Sequence, residues 1–270
     1  GRPPLFTYLK EVFRRRDFIV SLALYRIEAE NQRNRLGMGW VLLRPLLNAA
    51  VFGLIFSTLM KSRAETPNFL AFLIIGVFLF EFFSFFLASG SKAIVSNASL
   101  VQSLSFPRMS LPISVVTQKF IQLVPTVLLL VIILIGMGHR PQVEWLLLIP
   151  LLLLFYVFVL GLVLITSRLT VHFRDLNNII PFLNRFFFYT TGIFFSFEIR
   201  FADQPQLLDA VQFQPVYAVL TLGRSILLST DPTYQMNPML WAIISGWAVA
   251  LILIGIVFFW RAEEKYGQVS

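Results

Sequence analysis

The chain has 270 residues, 57% of them hydrophobic and only 13% charged, with a mean hydropathy of +0.77. Soluble domains run at about 45–50% apolar and about 25% charged, so this is the composition of a membrane protein rather than a soluble enzyme or binding module. Cysteine is absent, which excludes disulfides, thiol catalysis and Cys-ligated metal; the net charge of +8 matters by its placement and does not by itself indicate nucleic acid.

At the amino terminus, GRPPLFTYLKEVFRRRDF has charges but no apolar h-region or small-residue cleavage site after them, and so does not read as a signal peptide. Leu5, Tyr8, Leu9, Val12 and Phe13 share one helical face, with Lys10, Glu11, Arg14 and Arg15 opposite. That pattern predicts a helix lying in the cytoplasmic interface, within a region spanning 1–34. A solvated linker is the alternative. Next comes RNRLGMGWVLLRPLL (33–47), which sets Arg33, Arg35, Trp40 and Arg44 at the mouth of an apolar run.

A helix needs about 20 mostly apolar residues to cross the hydrocarbon. Six stretches qualify, at roughly 41–60, 69–90, 113–136, 144–166, 178–198 and 239–260. They define an all-α integral membrane protein with a six-span domain over 35–262 and a tail over 263–270. The segment 214–229 is short and carries Arg224, so it reads as a re-entrant helix, tolerable at membrane depth only if protein or water covers it. A seventh span is the alternative. With six spans, 17 basic residues fall on the side of the termini and 5 on the other, placing both termini in the cytoplasm.

Several spans carry ordered polarity. On the first, Trp40, Arg44, Asn48, Phe52 and Phe56 recur every four residues; on the third, Ser114, Gln118, Gln122 and Thr126 do the same, near Pro125. On the fifth, Arg185, Tyr189, Gly192 and Ser196 share a face, with Arg185 about 10 Å in from Asn178 at about 1.5 Å per residue. Arginine with aromatics suits the wall of a hydrated path, while helix–helix hydrogen bonding is the plainer account, above all for the third span. Phenylalanine numbers 29, and most of it reads as lipid-facing bulk. Between the second and third spans, Asn97 can cap a short cytoplasmic helix over 98–105 that Pro107 and Pro112 end. Either a partner grips this helix or it is a simple connector. On the sixth span, Ala242, Gly246 and Ala250 form a small-xxx-small seam that permits close helix approach.

Catalytic chemistry is hard to find. His139 and His172 fall at opposite membrane faces, no H-E-x-x-H occurs, and Glu81 is the only acidic residue deep within a span. No P-loop is present, so energy for uphill transport must come from another polypeptide. No catalytic residue, metal site or cofactor is assigned to this chain.

RDFIVSLALYR (16–26), RNRLGMGWVLLRPLL (33–47), SLSFPRMSLP (103–112), TVHFRDLNNIIPFL (170–183) and QPVYAVLTLGRSILL (214–228) together resemble the permease subunit of ABC exporters for polysaccharides and polyol phosphates. These exporters carry O-antigen, capsule, teichoic acid and cell-wall galactan. The resemblance covers roughly residues 16 to 262 and departs from the family at Thr191-Gly192, where a Thr-Pro is common. It implies a homodimer in the bacterial plasma membrane with two separate ABC ATPase subunits, which bind the ATP and Mg. It also implies a channel lined by the first and fifth spans, and an undecaprenyl- or decaprenyl-type lipid-linked glycan as substrate. Residues 33–47 would be the cytoplasmic gate, where arginine receives the pyrophosphate headgroup. The stretch from Asn97 through Ser99, Leu100, Val101, Gln102, Leu104, Phe106 and Pro107 to Arg108 would couple to the ATPase. A drug or lipid exporter permease and an integral-membrane glycosyltransferase are the competing readings; the missing catalytic cluster counts against the second.

Overall fold

The computed structural model describes residues 3–32, 35–59, 66–103 and 105–268. Every regular element among them is helical. In chain order the α-helices are α1 (Leu5–Arg14), α2 (Arg16–Gln32), α3 (Gly39–Leu59), α4 (Phe69–Phe85), α5 (Ala98–Ser103), α6 (Ser110–Gly136), α7 (Leu148–His172), α8 (Leu176–Thr190), α9 (Phe197–Arg200), α10 (Pro205–Gln212), α11 (Pro215–Leu227) and α12 (Pro238–Trp260). A π-helical turn, Phe86–Gly90, extends α4.

Four helical stretches are long and apolar enough to cross a membrane: Phe69–Gly90, Ser110–Gly136, Val143–His172 and Pro238–Trp260. They correspond to the second, third, fourth and sixth expected spans. Gly39–Ile55 of α3 and Pro215–Leu227 are shorter apolar helices. The fifth expected span is corrected: 178–198 is not one helix, because α8 ends at Thr190 and Gly192 turns the chain at φ +70°. Pro125 and Pro181 lie inside α6 and α8 without ending them.

The core is built around α4, whose residues from Ala71 to Phe80 are all buried. Against it pack α3, α6, α7 and α11. The helix α11 is buried over about three turns, at every residue but Thr221 from Val216 through Leu227. Protein, rather than lipid, therefore covers it, which is the condition that a polar-bearing segment at membrane depth has to meet.

The tightest helix crossing is that of α7 on α12. A Cβ on Gly161 would lie 2.4 Å from the backbone carbon of Leu251, and one on Gly255 would lie 2.8 Å from the Gly161 carbonyl oxygen. Small residues here let backbones touch, which drives association where lipid supplies no hydrophobic force. The seam expected at Ala242, Gly246 and Ala250 is corrected accordingly: all three are exposed, and a Cβ on Gly246 meets nothing within 4 Å. Gly161→Val should therefore cost at or above the upper end of the about 1–3 kcal/mol typical of overpacking, because backbone cannot rotate away. Gly246→Leu should leave the melting temperature of the detergent-solubilised protein unchanged. Equal melts for the two variants would mean that this crossing is not formed.

A second cluster ties the amino terminus to the far end of the chain. Tyr8 and Val12 of α1 and Ile19 of α2 are buried with Ile94, Val101, Met109, Leu111, Phe259 and Tyr266. Only part of the expected α1 face is packed, for Phe13 is 67% exposed. The protein takes one edge of this face and leaves Phe6 and Phe13 outward.

Candidate functional site

The first turns of α3 form the rim of an open cavity of about 370 Å³ bounded by α2, α3, α4 and α6. Trp40, Val41, Arg44 and Pro45 line it from α3, Glu30 from α2, Glu81, Phe82, Ser84 and Phe85 from α4, and Lys119, Gln122 and Thr126 from α6. Trp40 and Arg44 are exposed at its edge. Of the gate residues read from the sequence, Arg35 lies in the exposed turn before α3, and Arg33 falls outside the described residues.

Farther along α3 the four-residue stripe turns inward. The Asn48 side-chain amide donates to the Glu81 carboxylate. Phe52 packs its ring 5.4 Å from both Phe188 and Phe194. Phe56 continues the helix, but its side chain lies outside the described residues. The stripe is thus split: Trp40 and Arg44 face the cavity, while Asn48 and Phe52 join the helix to α4 and α8.

One ion pair, between α6 and α2, lies inside this region. Lys119 Nζ lies 3.8 Å from the Glu30 carboxylate and 3.9 Å above the Phe85 ring. Gln118 Nε2 donates to Glu30 at 3.1 Å. Glu81 is legible in the sequence as a lone deep acid, and Gln122 as part of a stripe. The meeting of Lys119 with Glu30 is not, because α2 shows no amphipathic period that would place it against α6.

The expected stripe on the fifth span is divided. Arg185 and Tyr189 sit on the exposed side of α8, beside Ile179, Phe182 and Phe186. Gly192 is in the turn, and Ser196 caps α9, its hydroxyl accepting from the Ile199 N–H at 3.4 Å. A buried cation fixes this turn. Arg224 of α11 donates to the carbonyls of Phe72 at 3.1 Å, Gly192 at 2.8 Å and Ile193 at 3.2 Å, with its guanidinium 3.4 Å above the Phe72 ring.

In the expected coupling segment, α5 runs from Ala98 to Ser103, and Leu104 lies outside the described residues. The capping role expected of Asn97 is corrected. Asn97 closes a 3-10 turn that leads straight into α5. Its amide donates to the Ala93 carbonyl at 2.7 Å and accepts from Arg26 of α2 at 3.1 Å. No bond from the first N–H groups of α5 to this side chain is present among the described residues. Pro112 likewise lies inside the first turn of α6 instead of ending α5. Ser99 and Gln102 are exposed, Leu100 is half-buried and Val101 is buried.

The segment is anchored from behind. Phe106 meets the Phe18 ring at 5.4 Å, and Pro107 is buried. The Arg108 N–H donates to the Glu263 carboxylate at 3.0 Å, and the Tyr8 hydroxyl donates to its other oxygen at 2.6 Å. The same hydroxyl accepts from the Met109 N–H at 3.1 Å. Burial pushes the Glu263 carboxyl above its ordinary range, against the pull of the Arg108 and Tyr8 donors. Both chain ends therefore brace the loop that carries α5. Among the described residues no group of three or more histidines and carboxylates is placed to hold a metal ion.

Residues 22–228 match the family described as ABC-2 type transporter, and the chain belongs to that family. The match takes in α3, the cavity, the segment 97–108 and α11. Among curated relatives, the chain is 24% identical over 255 residues to the O-antigen export system permease protein RfbA of Klebsiella pneumoniae, covering 94% of this chain and 95% of that protein. It is 25% identical over 258 residues to the protein of the same name from Myxococcus xanthus, covering 96% and 94%. The family resemblance read from the five sequence stretches is borne out, and the chain is a multi-pass transporter permease.

Proposed function

We propose that this chain is the transmembrane subunit of an ATP-driven exporter that moves a lipid-linked polysaccharide or polyol-phosphate polymer across the bacterial plasma membrane. Two copies work with two ABC ATPase subunits, which hold the ATP and Mg. Both termini face the cytoplasm. The remaining spans are α3 and a segment built from α8 to α11, in which α11 is re-entrant.

The observation that carries this reading is the cavity at the start of α3 in a chain of this family. Its rim offers an arginine and a tryptophan, suited to a phosphate and a sugar respectively. Arginine's planar fork bonds phosphate oxygens in pairs. The outward faces of α3 (Leu47, Val51, Leu54) and α8 (Ile179, Phe182, Phe186, Tyr189) support a second copy as the missing neighbour. Between two such faces a channel would run past Arg185. The exposed Ser99 and Gln102, on a helix braced from behind, suit a socket in the ATPase.

The test is copurification and activity. The permease alone should hydrolyse no ATP, a separate ABC ATPase should copurify with it, and polyprenyl-pyrophosphate-linked glycan should stimulate the complex in nanodiscs. Hydrolysis by the isolated chain would overturn the reading. Stimulation by amphipathic drugs or phospholipid, and not by lipid-linked glycan, would favour the drug or lipid exporter instead.

A further inference from the structure

Three features of the α2–α3–α4–α6 cavity are not accounted for by a phosphate-reading arginine at its rim. The first is its charge. Two carboxylates, Glu30 and Glu81, and two cations, Arg44 and Lys119, line it, so the lining carries no net charge. Lys119 is already paired with Glu30, and Glu81 already accepts from Asn48. An anion drawn past Arg44 into the interior would meet both carboxylates. The interior is therefore a poor phosphate site.

The second feature is Gln122. It is 2% exposed, it lines the cavity, and neither its amide oxygen nor its amide nitrogen has a partner among the described residues. A primary amide offers two donor hydrogens and an acceptor oxygen, and burying it unpaired is costly. Its neighbour one turn on, Thr126, already spends its hydroxyl on the Gln122 carbonyl at 3.0 Å. In this conformation the amide is closed off from open space, so an occupant of the cavity reaches it through a turn of the side chain toward the cavity wall that Gln122 lines. The third feature is the mixture of walls. Trp40 and Phe82 give apolar ring surfaces, while Ser84, Gln122 and the carboxylates give hydrogen-bonding groups. The volume of about 370 Å³ falls at the small end of the about 300–1,000 Å³ typical of ligand pockets.

A neutral polyhydroxyl ring has the matching chemistry. Its C–H faces are apolar and lie on aromatics, and its hydroxyls donate to carboxylates while exchanging bonds with an amide. We propose that this cavity is a sugar-binding site within a single protomer. It holds a monosaccharide unit of the lipid-linked substrate behind the rim while Arg44 holds the phosphate at the rim. The inference rests on the exporter reading above, and assigns to Gln122, Glu81 and Ser84 the recognition of sugar hydroxyls. It gives Glu81, the one deep acid, and the polar stripe of α6 a shared task. Water alone would also satisfy Gln122, and that outcome is separated by experiment.

The test uses the permease–ATPase complex in nanodiscs with two probes, polyprenyl pyrophosphate and polyprenyl pyrophosphate bearing one hexose. Gln122→Leu removes the amide with little change of volume, and because it relieves an unpaired buried group it should melt no lower than wild type. The half-maximal concentration for stimulation by the hexose-bearing lipid should rise about tenfold or more, equivalent to about 1.4 kcal/mol. That for the sugar-free lipid should stay at the wild-type value. Equal responses of Gln122→Leu and wild type to both lipids would mean a water-filled cavity and overturn the site. A parallel loss for both lipids would put the headgroup there and overturn it equally. If neither lipid stimulates the wild-type complex, the exporter reading itself fails, which is a distinct result. Should Gln122→Leu not assemble, Gln122→Met, which removes the amide at nearly the same length, takes its place with the same expected split.

Discussion

Arg224→Met is expected to lower the stability of the solubilised protein by several kcal/mol, because it removes a side chain that ties α11 to α4 and to the turn after α8. The guanidinium is 3% exposed, and no carboxylate among the described residues pairs with it. A buried charge of this kind is costly, and it is offset here by three carbonyl acceptors and the face of Phe72. Methionine would remove the desolvation cost. It would also strand the carbonyls of Gly192 and Ile193, at about 1–3 kcal/mol for each one left unsatisfied, whereas the Phe72 carbonyl keeps its bond within α4. Two of those carbonyls belong to the turn that ends α8, so losing them frees the turn as well. Arg224→Lys should recover little, because one ammonium cannot reproduce a planar fork reaching two separate segments. Gly76→Ala provides an independent check: its Cβ would lie 2.3 Å from Arg224 Nη2, so the methyl group must push the guanidinium off its acceptors. Thermal melts should fall for Arg224→Met and Gly76→Ala alike. A wild-type melt for Arg224→Met would show that these carbonyls find other donors and that the clamp is dispensable.

That clamp also explains which parts of the fold were legible in the sequence. The second, third, fourth and sixth spans are long apolar runs, and hydropathy finds each of them within a few residues. The run RFFFYTTGIFFSF is equally apolar, so hydropathy extends the fifth span straight through it. What breaks the helix is a glycine at φ +70° whose carbonyl is held by an arginine 32 residues away. No local pattern encodes that bond. The same limit applies to α2. Its apolar residues follow no helical period, since the helix packs on α6 along one side and approaches α5 through Arg26 and Asn97 on another. Asn97 has the right residue type and position for a cap, but a cationic donor from α2 competes for its side chain and wins. For the candidate site, periodicity correctly groups Trp40 with Arg44, and Gln122 with Thr126. It cannot bring the two groups to one cavity, because that depends on how α3 and α6 rotate about their axes.

Arg44→Lys should leave assembly intact and remove most of the export activity. Arg44 sits one turn beyond Trp40 at the rim of the cavity, exposed, with Glu81 across the opening. A charge at this depth is tolerated only when solvated or paired. Two roles fit that position. In a structural role the cation would balance Glu81 or snorkel to lipid phosphate, and lysine, with a long stem and the same charge, would serve nearly as well. In a substrate-reading role the pair of parallel N–H bonds to phosphate matters, and lysine offers a point charge without the fork. The expected result for Arg44→Lys is a wild-type melting temperature and normal association with the ATPase. Stimulation by polyprenyl pyrophosphate should drop by about tenfold or more, the loss of one charge-assisted hydrogen bond. Arg44→Ala should lose the same stimulation and some stability too, because Glu81 then lacks its facing cation. If lysine restores full stimulation and only alanine is impaired, Arg44 is an electrostatic anchor. The headgroup must then be sought at Arg35 or Arg185, exposed arginines on the approach to α3 and on the face of α8.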